Sequence, residues 1–322
     1  MVGSVRKAIL PWVLAGALVA FAFTLVDTAT VLHALSTIPL SWVVAGLSVC
    51  VADRVLMALR WHLLIRGLGG NADFANVLVV HLKSSVFGLL FHALCGDFAK
   101  VAYLKNNLDV NSIIIPSLLI DRAIGLIAAS LLATCGLVYL AERANVPFLR
   151  ELLSITIVTL IFIGASYLTA GRFKRLINRI TAPAAGLISR WADAMTRLAG
   201  RSDVIVVNLT IALVRQCLMV SILFAYAAYF SENVEVFPLL SIMGVQFLMM
   251  RLPISPDGWG VGELTAVSLY EMASVQAEAA LAAMLLFRSI SWITCVPGVI
   301  LIVLSAVRPA GERRRDRPAF PR

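Results

Sequence analysis

Long apolar runs dominate the chain and are separated by short polar segments. A helix needs about 20 apolar residues to cross the hydrocarbon core of a bilayer, and six of the runs reach that length. The first begins after Arg6 and Lys7 and is similar to a signal peptide, but its cleavage pattern is weak, so we interpret it as an uncleaved helix. The predicted spanning helices are 8–26, 39–64, 113–140, 151–170, 204–230 and 279–306.

Two further apolar regions contain residues that do not continue a membrane helix. Region 75–108 reaches Gly96 and Asp97 and then becomes too polar to be a span. Region 237–275 contains Pro253-Ile-Ser-Pro-Asp-Gly-Trp-Gly-Val-Gly-Glu263, where prolines and glycines interrupt the helix and two carboxylates are costly in hydrocarbon. Irregular backbone at membrane depth survives only where protein buries it or where it lines a wet cavity. Each region can be a re-entrant hairpin or one crossing, and each is a candidate substrate site.

Composition and charge favour the re-entrant interpretation. The chain is 60% hydrophobic and 14% charged, which is typical of polytopic membrane proteins. By the positive-inside rule, six spans with two re-entrant hairpins place both termini and the basic loop 171–203 in the cytoplasm, whereas eight crossings would put that loop outside. Membrane-flanking bases also explain the net charge of +9 without nucleic-acid binding. The bases are Arg6, Lys7, Arg172, Lys174, Arg175, Arg179, Arg190, Arg197, Arg201, Arg308, Arg313, Arg314, Arg315 and Arg317.

The two halves of the chain repeat the same order of segments. Residues 1–145 and 150–308 each consist of span, span, broken segment and span, and under the six-span interpretation they start on opposite sides. Interrupted segments at corresponding positions of inverted repeats are typical of transporter substrate sites. The alternative is that helices of similar length coincide by chance.

The fold prediction is an all-α polytopic membrane protein with two inverted repeats and eight apolar segments. Residues 1–310 form a single transmembrane domain, and residues 311–322 form a basic cytoplasmic tail. We expect a multi-pass protein of the cell (inner) membrane with both termini in the cytoplasm.

Many charged residues lie within or beside the spans, and arginine is the commonest. One charge at the bilayer centre costs about 2.5–3.5 kcal/mol on insertion scales, so these residues must pair or face a hydrated cavity. Arginine presents a planar fork that matches phosphate oxygens, which predicts a cavity for an anionic group such as a lipid phosphate. The alternative is local pairing, as in Asp53-Arg54 and Asp121-Arg122. Arg215 and Arg288 have no sequence-adjacent acid.

The candidate substrate-binding residues combine these cations with the two breaks. The glycines after Asp257 free backbone amides, and a helix starting near Val261 would direct its positive end at the break. Histidine and cysteine spacing predicts no metal site, no cofactor is expected, and His81 and His92 are expected to make ordinary satisfied hydrogen bonds. The candidates are Arg54, Arg60, Gly96, Asp97, Arg122, Arg215, Pro253, Ser255, Asp257, Gly258, Gly260, Glu263 and Arg288.

Four sequence elements resemble the transmembrane flippase-like domain of lysylphosphatidylglycerol synthases and its stand-alone relatives. They are Arg60-Trp61 with Leu63-Leu64, Gly96-Asp97, Asp121-Arg122-Ala-Ile-Gly125, and Leu252-Pro-Ile-Ser-Pro-Asp-Gly-Trp-Gly-Val-Gly-Glu263. The sequence departs from the family at Phe91-His92-Ala93-Leu94-Cys95, where Leu-Pro-Gly is common. The resemblance implies a bacterial or archaeal inner-membrane protein that moves lipids or polyprenyl-linked lipids between leaflets. The aminoacyl-transferase domain of the synthases has no counterpart in this sequence, so we do not expect synthase chemistry.

The leading hypothesis is therefore a lipid translocase for an anionic phospholipid or a polyprenyl- or glyco-lipid. Asp97, Asp257 or Glu263 would couple movement to protons. One alternative is a membrane-embedded lipid-modifying enzyme with Asp97 and Glu263 as acid or base. Another is a non-catalytic partner of lipid-biosynthesis enzymes, for example in a hopanoid or glycolipid pathway. The expected ligands are membrane lipids with anionic headgroups, and the oligomeric state is left open.

Overall fold

A computed structural model of the chain describes most of the two predicted halves. Its described residues form helices and turns and no strand. Most of predicted span 151–170, most of loop 171–203, Pro253, His92 and the predicted tail 311–322 lie outside the described residues. The described residues are 2–91, 93–105, 108–144, 154, 157, 193–194, 196–198, 200–251 and 255–307.

The helices follow the apolar runs closely, and three short helical turns lie beside them. A π-helical turn at Val110–Ile114 leads into α6, and 3₁₀ turns at Pro256–Gly258 and Tyr270–Ala273 flank α9. In chain order the helices are α1 (Val2–Thr24), α2 (Thr28–Ser36), α3 (Leu40–Gly67), α4 (Phe74–Leu90), α5 (Ala93–Leu104), α6 (Ile115–Ala144), α7 (Ser202–Phe230), α8 (Val236–Met249), α9 (Val261–Leu269), α10 (Ala277–Ile293) and α11 (Val296–Val307).

Four helical segments are long and apolar enough to cross a membrane. They correspond to predicted spans 39–64, 113–140, 204–230 and 279–306, and comprise Leu40–Gly67, Val110–Val138, Ser202–Phe230 and Ala277–Val307. Predicted span 8–26 ends at a bend of 96° between Pro11–Thr24 and Thr28–Ser36, and these two helices count as a fifth span only if taken together. The bend occurs because Asp27 caps α2, its carboxylate accepting hydrogen bonds from the amides of Ala29 and Thr30.

Region 75–108 folds back on itself as the antiparallel pair α4 and α5. The pair is close at Gly96, where a Cβ would lie 3.0 Å from the Ser84 carbonyl oxygen and 3.2 Å from the Gly88 Cα. At the open end of the pair, the Lys83 Nζ lies 5.6 Å from the centre of the Tyr103 ring. We call residues 74–104 the first hairpin.

Region 237–275 also returns to the end of the bundle from which it starts. The Glu235 amide donates a hydrogen bond to the Ala273 carbonyl at 3.0 Å, and the Ser231 hydroxyl donates to the Ser274 carbonyl at 3.3 Å. These bonds join the start of α8 to the segment after α9. We call residues 236–273 the second hairpin.

The two hairpins enter the helical bundle from opposite ends. The second hairpin begins beside the end of α7, where the Tyr229 hydroxyl donates to the Thr37 carbonyl just before α3. The first hairpin begins beyond the other end of α3, where Gly67 faces Leu198 and Val204 at the start of α7. The same helices α3 and α7 therefore run from one entrance to the other. The relation of the two halves as inverted repeats, with eight segments, stays a prediction.

The tips of the two hairpins meet where α10 gives way to α11. Val86 and Leu89 of the first hairpin pack with Cys295 and Trp292, and the Trp259 ring of the second hairpin lies 5.5 Å from the Trp292 ring. Helix α4 also contacts the Pro256–Gly258 turn directly. Both sequence interruptions therefore lie next to each other inside the bundle.

Close packing of α6 against α8 supports the second hairpin. The two helices approach at Gly136 and Gly244, and a Cβ at residue 136 would overlap the Ser241 carbonyl oxygen. A Cβ at residue 244 would lie 3.0 Å from the Leu132 carbonyl oxygen. Small residues allow this kind of backbone approach between membrane helices.

Gly136→Ala should destabilise the protein because the added methyl must push α8 away from α6. Overpacking of this kind costs about 1–3 kcal/mol, which should lower the thermal unfolding midpoint of the detergent-purified protein. Gly16→Ala is the matched control, since nothing lies within 4 Å of the added Cβ in α1. An unchanged midpoint for Gly136→Ala would contradict the α6–α8 packing.

Candidate functional site

Charged residues from seven parts of the fold converge around the hairpin tips. Helices α3, α5, α6, α7, α9 and α10 contribute, together with the segment between α8 and α9. The residues concerned are Asp53, Arg54, Arg60, Asp97, Lys100, Asp121, Arg122, Arg215, Arg251, Asp257, Glu263 and Arg288.

The carboxylates pair across helices and not with their sequence neighbours. Asp53 of α3 pairs with Arg215 of α7, and Asp97 of α5 pairs with Arg122 of α6. Asp97 also bonds to Lys100 at 3.3 Å. Consecutive residues of a helix do not face each other, so the local pairs considered from the sequence do not form. The inter-helix ion pairs instead tie α3 to α7 and α5 to α6.

Arg60 is a buried junction between three helices. Its Nη2 bonds to the Asp121 carboxylate at 2.9 Å and to the Asp121 carbonyl at 3.1 Å. Its Nε donates to the Asn208 side chain at 3.0 Å, and the Asn208 amide donates back to the Arg60 carbonyl at 2.7 Å. The side chain is only 2% exposed, so it does not extend to the membrane surface.

Glycine geometry allows the second hairpin to turn at its tip. Gly258 and Gly260 have φ of 68° and 79°, values that side-chain-bearing residues rarely adopt. The space beside them is also closed, because a Cβ at 258 would lie 2.8 Å from the Met250 carbonyl oxygen and one at 260 would overlap Leu18 of α1. Helix α9 then begins at Val261, as the sequence predicts.

Glu263 and Arg288 hold this turn in place. One Glu263 oxygen accepts the Gly260 amide at 2.7 Å, and the other accepts the Arg288 Nε at 2.9 Å. The remaining Arg288 nitrogens donate to the carbonyls of Asp257 and Gly258, each at 2.6 Å. The Glu263 side chain is completely buried, and that of Arg288 is 2% exposed. Arg288, predicted as a substrate contact, therefore has its donors occupied by the turn in this conformation.

Three further predicted residues have local roles at the breaks. The Ser255 hydroxyl donates to the Trp259 carbonyl at 2.6 Å and so braces the turn. Gly96 lies within the first turn of α5 and allows its contact with α4. Asp257 contacts Arg288 at 3.4 Å while 46% of its side chain remains exposed. Pro253 lies outside the described residues.

Two arginines bond only to neutral acceptors within the described part of the chain. Arg54 donates to the Thr294 hydroxyl at 3.3 Å and to the Ser291 carbonyl at 3.4 Å, at the junction of α10 and α11. Arg251, at the end of α8, donates to the Gln216 side-chain oxygen at 3.4 Å. Arg251 is exposed, and the Arg122 side chain is 39% exposed. The site therefore has positive charge that its carboxylates do not neutralise by direct contact.

Sequence reasoning missed His81, Lys100, Gln216 and Gly125. His81 is buried in α4, and both of its ring nitrogens lack a hydrogen-bond partner among the described residues, so the expected ordinary hydrogen bond is wrong. The Lys100 Nζ lies 4.9 Å from the centre of the Trp61 ring. This contact joins the first hairpin to α3. None of these residues carries a motif signal, apart from Gly125 within the acid-Arg-x-x-Gly element.

A metal site finds no support in the part of the chain that the structure describes. That part contains no group of three or more His, Cys, Asp or Glu side chains placed to hold a metal ion. The predicted role of the turn amides in binding is not seen, because the Gly260 amide donates to Glu263 and the Gly258 amide to the Ser255 carbonyl. The arginines with neutral partners are still suited to an oxyanion, because guanidinium groups offer hydrogen-bond donors and positive charge together.

Arg288→Met should destabilise the protein strongly because it leaves the Glu263 carboxylate buried without its cation. Breaking a buried pair by removing one partner costs about 3–5 kcal/mol. The double variant Arg288→Met/Glu263→Leu should recover much of that loss, since no unpaired charge stays buried. Thermal or denaturant unfolding of the three proteins measures the effect. Equal stability of the single and double variants would contradict a direct pair.

Comparison with known proteins agrees with the membrane architecture and with the four motif elements. No curated protein matched the chain. The family model described as "Lysylphosphatidylglycerol synthase TM region" matches residues 8–298, which is most of the sequence and includes both hairpins. The chain therefore belongs to the lysylphosphatidylglycerol synthase TM region family.

Proposed function

We propose that the protein is a lipid translocase that moves a lipid with an anionic headgroup between leaflets. The observation that carries this proposal is the meeting of two hairpins from opposite ends of the bundle at a site with unneutralised arginines. Each hairpin gives a lipid headgroup a route to the site from one end of the helical bundle. The family membership and the four membrane-length helical segments support a lipid-related membrane protein.

The headgroup would be held by arginines that are not committed to the fold. Arg54 and Arg251 bond only to neutral groups among the described residues, and Arg122 is partly exposed beside Asp97. A phosphate can replace a neutral acceptor, or compete with Asp97 for Arg122, and gain charge-assisted hydrogen bonds. Arg288 would maintain the site from behind, because buried partners occupy its donors. Arg60 is fixed by its Nε and Nη2 bonds to Asn208 and Asp121.

Passage would require the hairpin tips to separate on one side at a time. The tips meet around Trp259, Trp292 and the α10–α11 junction, where the side chains in contact are aromatic or otherwise apolar. Rocking of one half against the other about a fixed midplane site is the common mechanism of transporters with inverted repeats. Asp97 contacts both Lys100 and the partly exposed Arg122. Proton coupling through Asp97, Asp257 or Glu263 stays a prediction.

The rival function, a lipid-modifying enzyme, fits the geometry less well. It would use Asp97 and Glu263 as acid and base, but Glu263 is completely buried with one oxygen on Gly260 and the other on Arg288. A carboxylate held in this way has no free oxygen to transfer a proton to a substrate. A non-catalytic partner of lipid-biosynthesis enzymes is the third candidate, and it predicts no lipid movement by the purified protein.

Reconstituted protein should accelerate leaflet exchange of a labelled anionic phospholipid without altering it chemically. In liposomes with fluorescent phosphatidylglycerol, dithionite quenching measures exchange and mass spectrometry tests the lipid. Arg54→Gln should slow exchange by about tenfold or more, the equivalent of a lost hydrogen bond to a charged group. Arg201→Gln is the control, since Arg201 is exposed at the start of α7.

The outcomes separate the three candidate functions. Altered lipid would favour the enzyme, and no exchange by the wild-type protein would favour the non-catalytic partner. Exchange that is equally fast with Arg54→Gln would remove Arg54 from the binding site while leaving translocation intact.

We also propose that the first hairpin enters from the cytoplasm and the second from outside. Arg66, Arg197 and Arg201 lie near the entrance of the first hairpin, whereas Glu232 and Glu271 lie near that of the second. The positive-inside rule assigns the basic end to the cytoplasm.

Cysteine labelling in intact cells checks this orientation. In a background without the five native cysteines, Glu232→Cys should react with a membrane-impermeant maleimide, and Arg201→Cys should react only after the cells are permeabilised. The reverse pattern would invert the proposed orientation.

A further inference from the structure

The space above Gly125 of α6 is bordered by two guanidinium groups. A Cβ at this position would lie 3.6 Å from the Arg251 Nη1 and 3.9 Å from both Nη1 and Nη2 of Arg60. One arginine comes from α3 and the other from the end of α8, so the first half of the chain and the second hairpin meet here. Like charges are brought together at this point, and an anion between them would be favourable in addition to the Asp121 carboxylate that already bonds to Arg60.

The nitrogens nearest to this space are those that the fold leaves unused. Arg60 bonds to Asn208 and Asp121 through Nε and Nη2, and Arg251 bonds to Gln216 through Nη2. Within the described residues, neither Nη1 donates a hydrogen bond. Both Nη1 atoms therefore have protons available beside Gly125.

A third donor at the site also lacks a partner. The Gln216 side chain is 2% exposed, its oxygen accepts from Arg251, and its Nε2 has no hydrogen-bond partner within the described part of the chain. A buried amide donor without a partner costs free energy, so a group that accepts from it is expected. The nearby Asp121 carboxylate bonds instead to Arg60 on Nη2, at 2.9 Å.

We propose that a phosphate group binds above Gly125, between Arg60 and Arg251 and within reach of the Gln216 amide. A phosphate offers several oxygens, so a different oxygen can accept from each guanidinium. Glycine is required at position 125 because a methyl group would take the volume that the oxygens occupy. This inference rests on the proposed function, for which it locates the headgroup phosphate, but the same chemistry would also hold free phosphate.

Gly125→Ala tests the proposal because it should weaken phosphate binding without lowering the stability of the protein. The added methyl meets its neighbours only at ordinary contact distances, and alanine is a better helix former than glycine, so the unfolding midpoint should be unchanged or higher. Phosphate binding should weaken by about tenfold or more, as expected when hydrogen bonds to charged groups are lost. If Gly125 only supported the fold, the Gly125→Ala protein would lose phosphate binding and stability together.

The measurement is a thermal-shift titration of the purified full chain in detergent, with three probes. Dihexanoyl phosphatidylglycerol should raise the midpoint of the wild type at saturating concentration, and zwitterionic dihexanoyl phosphatidylcholine should do so less. Inorganic phosphate, the third probe, distinguishes free phosphate from a lipid headgroup as the source of the bound group. A shift with phosphate alone means that the site accepts free phosphate, and a shift with the lipid only means that it requires the headgroup in its lipid.

Two further variants complete the test. Arg251→Gln should weaken binding as Gly125→Ala does, and Arg251→Lys should restore part of it because the charge is kept. Gly16→Ala in α1 is the control and should bind as the wild type does. Wild-type affinity in either Gly125→Ala or Arg251→Gln would overturn the proposal, and Gly125→Ala keeps the test valid even where Arg251→Gln does not fold.

Leaflet exchange measured on the same proteins separates this inference from the proposed function. If the wild type binds the probes but exchanges no lipid, and the variants lose binding, then the phosphate site stands and translocation fails. If the wild type exchanges lipid and Gly125→Ala binds and exchanges equally well, then translocation stands and the phosphate site is wrong.

Discussion

The bonds between Arg288 and the second hairpin are the constraint on which the rest of the site depends. An interrupted helix at membrane depth leaves backbone carbonyls and a carboxylate that water cannot satisfy. The Arg288 guanidinium satisfies Glu263 and the carbonyls of Asp257 and Gly258 at once. Because the turn is held in this way, Trp259 can meet Trp292 and α9 can start beside α1.

The remaining cations fall into two physical groups. Arg60 and Arg215 have carboxylate partners on other helices and are largely buried, so they connect α3 with α6 and α7. Arg54 and Arg251 have neutral partners among the described residues, and Arg122 is partly exposed. The first group fixes the positions of helices, and the second leaves positive potential at the place where the hairpins meet. The proposed translocation site needs both groups. The second group attracts the anion, and the first keeps the helices that carry the site in fixed positions.

The sequence predicted the features that depend on neighbouring residues. Hydrophobic length located four membrane-length helical segments, and the glycines after Asp257 located the start of α9 near Val261. Ion pairing depends on contacts between distant residues, so the sequence could only suggest adjacent pairs such as Asp121-Arg122, which do not form. The return of the second hairpin to its starting end involves long-range bonds, such as that from Glu235 to Ala273, that hydropathy does not encode. His81 shows the same limit, because whether its ring nitrogens meet a partner among the described residues depends on side chains distant in the sequence.

The bond between Glu263 and Arg288 also constrains how the chain is assembled. Glu263 enters the membrane with the second hairpin, but its cation lies one helix later in the sequence, on α10. Until α10 has been synthesised and inserted, the hairpin would carry an uncompensated carboxylate in hydrocarbon, which is costly. Residues 236–293 should therefore integrate as one cooperative unit, with the insertion machinery sheltering the hairpin until its partner helix arrives.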